Sequence, residues 1–164
     1  VGFGGSVTMR HIGLVEALAA RGNRVADHWK PGLSREQQTA IRHDQLRCDV
    51  FLASANAVTM EGGLINIDGG GNRVAALAFG PSRVIVIAGV NKLAKNVADG
   101  IHRARNVAAA LNARRLSVDT PCAHTGVCND CNSPARICRI TSITERCPNA
   151  ADYSVILVNE PLGF

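Results

Sequence analysis

Leu64-Ile-Asn-Ile-Asp68-Gly-Gly-Gly-Asn-Arg73-Val-Ala-Ala-Leu-Ala-Phe79-Gly-Pro-Ser-Arg83-Val-Ile-Val-Ile-Ala88-Gly-Val-Asn-Lys92 reads as strand, glycine-rich loop, helix and strand in succession. Residues 83–88 are apolar on both faces, as a strand is when helices cover a parallel sheet from two sides. Gly80-Pro81 stops the helix over 73–79, because proline cannot continue the hydrogen-bond ladder. One β-α-β unit of this kind sets the expectation for the chain: an α/β fold with a mostly parallel sheet flanked by helices.

Working outward, the same alternation recurs. Residues 49–53 and 153–158 read as further buried strands. Residues 24–28 read as a short one, and 54–60 as a loop or helical turn. Ile12, Val15, Leu18 and Ala19 give a helix over 8–21 one apolar face, with Gly22 as its cap. Ser34 with Gln37 three residues on is a weak capping box opening a helix to about Leu46. A long helix spans 96–111, and 137–144 fits a strand or a helix equally. The 164 residues read as a single domain over 1–164. The chain opens on Val1, already inside a strand end, so a preceding segment is expected.

Composition narrows the function. Hydrophobic residues make up 46% and charged residues 19%, which excludes a disordered chain. No apolar run reaches the roughly 18 residues of a membrane span. The formal charge is +5, but the basic residues are scattered and aromatics are only 4%. A nucleic-acid surface needs a concentrated basic stripe with stacking rings, so none is expected. The nearest approach to a cluster, Arg103, Arg105, Arg114 and Arg115, reads as a solvated helix face. A small anion, a carboxylate or phosphate, suits the charge.

Four thiols fall in the pattern C-x5-C-x2-C-x6-C at Cys122, Cys128, Cys131 and Cys138. Turn residues between them let the backbone aim several sulfurs at one point. Four thiolates can close a zinc site or hold a [4Fe–4S] cluster, and free thiols or a disulfide are the plain alternatives. A single C-x2-C with uneven gaps favours iron and sulfur over zinc, whose structural sites more often show two such pairs. His124 and Cys147 lie nearby as reserve ligands, and the metal loop is taken as 120–147. Cys48 reads as a buried apolar residue. A thiol loop of this kind fits a reducing, cytoplasmic setting.

Three other groups of residues can carry chemistry. Gly4, Gly5, Ser6 and Thr8 sit at a strand-to-helix turn, where amides and hydroxyls can hold an anion or merely cap a helix. Asn56, Glu61, Asn66 and Asp68 follow apolar runs, where open α/β sheets bind ligands; a plain turn competes at Asp68. Asn91 and Lys92 follow the strongest strand, and the lysine can meet a phosphate or carboxylate or simply face solvent.

These segments together resemble the LUD-domain family, also called lactate utilisation protein C or YkgG-like. The resemblance rests on Gly4–Thr8, Leu64–Asp68 with Gly71–Ala75, Phe79-Gly80-Pro81, Gly89–Lys92, Asn112–Leu116, the thiol loop and Val158–Phe164. Many members lack the four cysteines, so this chain is placed in a four-cysteine subgroup. The resemblance implies a fold like the ribose-phosphate isomerase, glucosamine-phosphate deaminase and CoA-transferase group. It implies an anion pocket at Gly4, Gly5, Ser6, Thr8, Asn56, Glu61, Asn66, Asp68, Asn91 and Lys92. It also implies a role beside iron–sulfur partner proteins that oxidise L-lactate, as a subunit of an oxidoreductase system more than a stand-alone enzyme. Two other readings follow: an isomerase or CoA-transferase-like enzyme with Glu61 as base or nucleophile and Lys92 on the substrate anion, and a structural zinc module for assembly. A homo-oligomer is compatible with each.

Overall fold

The computed structural model describes residues 1–149 and 151–164. The chain folds as two compact units: Val1–Ser54 with Asn72–Val90 and Cys147–Gly163, and Ala55–Gly71 with Asn91–Arg146 and Phe164. The 1–164 domain of the sequence reading is thus built from two bodies.

The first unit is the expected parallel sheet. Strands β1 (Gly2–Phe3), β2 (Val50–Ala53), β5 (Arg83–Gly89) and β8 (Asp152–Val158) lie side by side in that order, every pair parallel. Helices α1 (Val7–His11) and α2 (Leu14–Ala20) cover one face, where Phe3, Met9, Leu52 and Ile87 form a core. Each such side chain buried contributes about 1.5–3 kcal/mol. Helices α3 (Arg35–Gln45) and α4 (Asn72–Ala78) pack against each other. Ser34 opens α3 with the full capping box that its sequence suggests. The single helix expected over 8–21 is broken, because Gly13 sits at φ 62, a left-handed conformation that ends α1. The strand expected at 24–28 is reduced to one bridge, Gly2 to Ala26.

The second unit has its own sheet, in the order β6 (Leu93–Ala94), β3 (Ala57–Thr59), β4 (Leu64–Asp68), β7 (Ile140–Thr144). Here β3–β4 and β4–β7 are antiparallel and only β3–β6 is parallel. The loop expected at 54–60 therefore contains a strand, and 137–144 resolves as one. A continuous helical stretch packs on this sheet: α5 (Val97–Arg103), a π-helical segment Ala104–Ala109, and α6 (Ala110–Arg115). Ala57, Ile65, Ile67, Ala94 and Ala104 make the core between them, with Ile101 and Cys138 against it. A short helix α7 (Pro121–Thr125) opens the thiol loop.

Candidate functional site

The thiol loop belongs wholly to the second unit through Arg146. Cys122 lies in the first turn of α7, behind Pro121, whose missing N–H costs nothing at a helix start. Its sulfur is 3.4 Å from the Thr120 hydroxyl. Asp130, between Cys128 and Cys131, has φ 44, a conformation that Asp tolerates better than most residues. That kink turns the Asp130 N–H onto the Cys128 sulfur at 3.5 Å. Amide-to-sulfur bonds of this kind are among the contacts that tune thiolate metal centres. Arg136 donates to the carbonyls of Cys131 (2.6 Å) and Cys138 (3.1 Å). Its guanidinium also meets the Cys138 side chain, and this bond, with the charges of Cys138, Cys131 and Asp130, holds the Arg136 pKa above its ordinary value.

All four loop cysteines are half-buried, and none is in a disulfide. The donor set is chemically suited to a thiophilic metal. Among the described residues, however, no three His, Cys, Asp or Glu side chains stand together as a metal-holding group. Cys48 is half-buried, and burial pushes its thiol pKa up, as befits an inert residue. Cys147 is exposed and belongs to the first unit.

The helical stretch before the loop fixes it in place. Asn106 accepts from the Cys128 N–H at 3.1 Å, and Arg114 donates to the carbonyls of Ala123 (2.8 Å) and His124 (3.3 Å) at the end of α7. Arg105 reaches Asp130 at 3.5 Å, an exposed pair of small energetic weight. Arg103 turns the other way, donating to the carbonyls of Asn91 and Asn56, and burial lowers its pKa. Of the basic face expected from the sequence, Arg114 and Arg115 are exposed as expected, while Arg103 and Arg114 also brace backbone carbonyls. Arg103, Asn106, Arg114 and Arg136 were missed as functional residues. The signal available was an alanine-rich helix with polar residues at 103, 106 and 114 that runs straight into the thiols.

The polar residues of the second unit divide along the β3–β4 hairpin. Asn56 lies beside Asn66 at the open end, where the Asn56 amide oxygen accepts from the Ile67 N–H at 2.7 Å. Asn66 is 1% exposed and both amide atoms lack a partner. Such a group is costly to bury unless something pairs with it. Lys92, in a single 3-10 turn Val90–Lys92, is 4% exposed, so it is no solvated loop lysine. Asp68 accepts from the Gly70 and Gly71 N–H groups at 3.2 and 3.3 Å, the turn that competed with a site role. Glu61 is exposed at the hairpin tip, roughly 10 Å or more along the strands from Asn56 and Asn66 at about 3.3 Å per residue.

The glycine turn belongs to the first unit. The Gly4 N–H extends the sheet to the Leu52 carbonyl, and Ser6 caps α1 with no bond from its hydroxyl to the helix. A Cβ on Gly5 would stand 2.3 Å from the Trp29 indole nitrogen, so an aromatic ring, not a turn alone, demands glycine there. Thr8 is fully buried, with its hydroxyl on Ser54 and on the Leu162 carbonyl, both at 3.3 Å.

A DUF162 family protein from Deinococcus radiodurans, known from a crystal structure, is similar over 96% of this chain and 85% of its own, at 15% identity and a TM-score of 0.40. No curated protein matches the chain. No helix of the described residues is long and apolar enough to cross a membrane. The family model for the LUD domain matches residues 1–158, nearly the whole chain, and this protein therefore belongs to the LUD-domain family.

Proposed function

We propose that this LUD-domain protein is an accessory component of lactate utilisation or related redox metabolism, and that Cys122, Cys128, Cys131 and Cys138 hold an iron–sulfur centre in it. The observation that carries this reading is the Cys128–Cys131 turn, with the Asp130 N–H on the Cys128 sulfur and Arg136 against both Cys131 and Cys138. Thiols bind metal as thiolates, and an amide N–H and a guanidinium near the sulfurs complement the charge of such a centre. Among the described residues the four sulfurs are not gathered into one group, so the loop would have to close for them to hold a metal together. The redox role rests on the family resemblance, and partner proteins with iron–sulfur centres would supply and accept electrons. In the same unit as the loop, the buried Asn66 amide, without a partner among the described residues, and the buried Lys92 support a small carboxylate or phosphate ligand.

Loss of one thiol tests the centre. Wild-type protein treated anoxically with ferrous iron and sulfide is expected to gain broad absorption near roughly 400 nm, from thiolate-bound cluster iron. Cys131→Ser should gain little of it, and Cys48→Ala should gain all of it. Equal absorption in wild type and Cys131→Ser would overturn the proposal.

A further inference from the structure

The first unit holds a small cavity that none of the candidate residues lines. Its volume is about 220 Å3, and its walls include His28, Trp29, Lys30, Gln38 and Arg42. No Asp or Glu lines it. A wider groove nearby, of about 890 Å3, has acids and bases in equal number on its rim and makes no such choice of charge. Asp27, next in sequence to the cavity residue His28, is already held by Arg10 at 3.0 and 3.1 Å and by the Trp29 N–H at 2.9 Å. Arg10 neutralises it.

Two side chains of this wall carry donors. The Arg42 Nε is buried and has no partner. A buried N–H of a charged group is costly to leave unpaired. His28 is 4% exposed, and its Nδ1 lies 3.0 Å from the Gln45 Nε2. That nitrogen already donates to the carbonyls of Phe3 (2.9 Å) and Ala26 (2.7 Å). An Nδ1–H facing an amide NH2 would set donor against donor, so the hydrogen-bond network assigns the imidazole proton to Nε2. Burial and the Arg42 charge keep the ring neutral, with a pKa lowered to about 4.

We propose that this cavity binds a small oxyanion, a phosphate or a carboxylate group, through the Arg42 guanidinium, the Lys30 ammonium and the His28 Nε2–H, with the Trp29 indole as its wall. Arginine suits either anion, because its planar fork matches their paired oxygens. The volume is below the usual range for drug-sized or cofactor ligands, roughly 300–1,000 Å3, so the occupant is one anionic group with little attached. The Trp29 ring also presses on Gly5, which links the cavity wall to the glycine turn. The inference concerns the first unit alone, so it stands or fails independently of the thiol loop.

Trp29 is the one tryptophan in the sequence, and its fluorescence reports directly on the cavity. The full chain would be titrated with inorganic phosphate, and separately with acetate, at constant ionic strength set by chloride. A saturable fluorescence change with either anion, absent with chloride, is expected, and whichever saturates names the class. Arg42→Met should weaken it by about tenfold or more, as loss of a charge-assisted fork implies. Lys30→Met, exposed and safe for folding, should weaken it several-fold and serves if Arg42→Met does not fold. No saturation with either anion overturns the inference, and so does wild-type saturation in either folded variant.

Discussion

His28 sits where its charge would be hardest to accommodate. Burial and Arg42 lower its pKa from 6.5 to about 4, while Asp27 and the Gln45 bond oppose them and Arg10 adds to them. An unfolded chain therefore takes up a proton on this ring at a higher pH than the folded protein does. The stability this contributes is complete above about pH 6.5 and is lost as pH falls through the folded value near 4. Unfolding by urea in anion-free buffers should show a loss on the order of 2 kcal/mol across that window, allowing for partial solvent screening. His28→Gln should remove that part of the slope, and an unchanged slope would mean that the ring is not buried neutral. None of this was legible in the sequence. A lone histidine before a tryptophan carries no pattern, and the packing of Trp29 on Gly5 joins residues that only the folded chain brings together.

Among the elements, the helical stretch from α5 to α6 bears most on function. Its π-helical segment, Ala104–Ala109, adds a residue to the turn, a feature often found at functional sites. Asn106 lies in that segment and holds the Cys128 N–H. Asn106→Ala should cost about 1 kcal/mol, the net worth of an ordinary hydrogen bond. It should also leave the loop less able to retain metal, measured as faster loss to a chelator than in wild type. Equal loss rates would show that the brace plays no part in holding the loop. The helix itself was readable from Val97, Ile101, Ala104, Val107, Ala108 and Leu111, whose spacing marks one apolar face, but Val107 and Leu111 are exposed and not inward-facing. What its polar residues do was not readable, because the π segment shifts the angular positions that a 3.6-residue period assigns. Strands β3 and β6, three and two residues long, are too short to show any period. The antiparallel pairing of β4 with β7 joins residues more than seventy apart in sequence, a contact no local pattern records.

At the scale of the whole molecule, each compact unit carries its own chemistry. The first is the parallel sheet that the doubly apolar strands at 83–88 and 153–158 announced, with a cationic cavity beside it. The second is a mixed sheet whose covering helix braces a four-thiol loop. The thiols were the plainest signal in the sequence, because their spacing survives without any knowledge of the fold. Their supports, Asn106, Arg114 and Arg136, appear only once the helix and loop are seen together. The central claim is that this loop holds iron and sulfur. Its most direct test is the metal content of the full chain purified without oxygen. About four irons per chain with matching sulfide, as a cubane on four thiolates requires, is the expected result. Protein with neither iron nor sulfide, or with one zinc in their place, would contradict it.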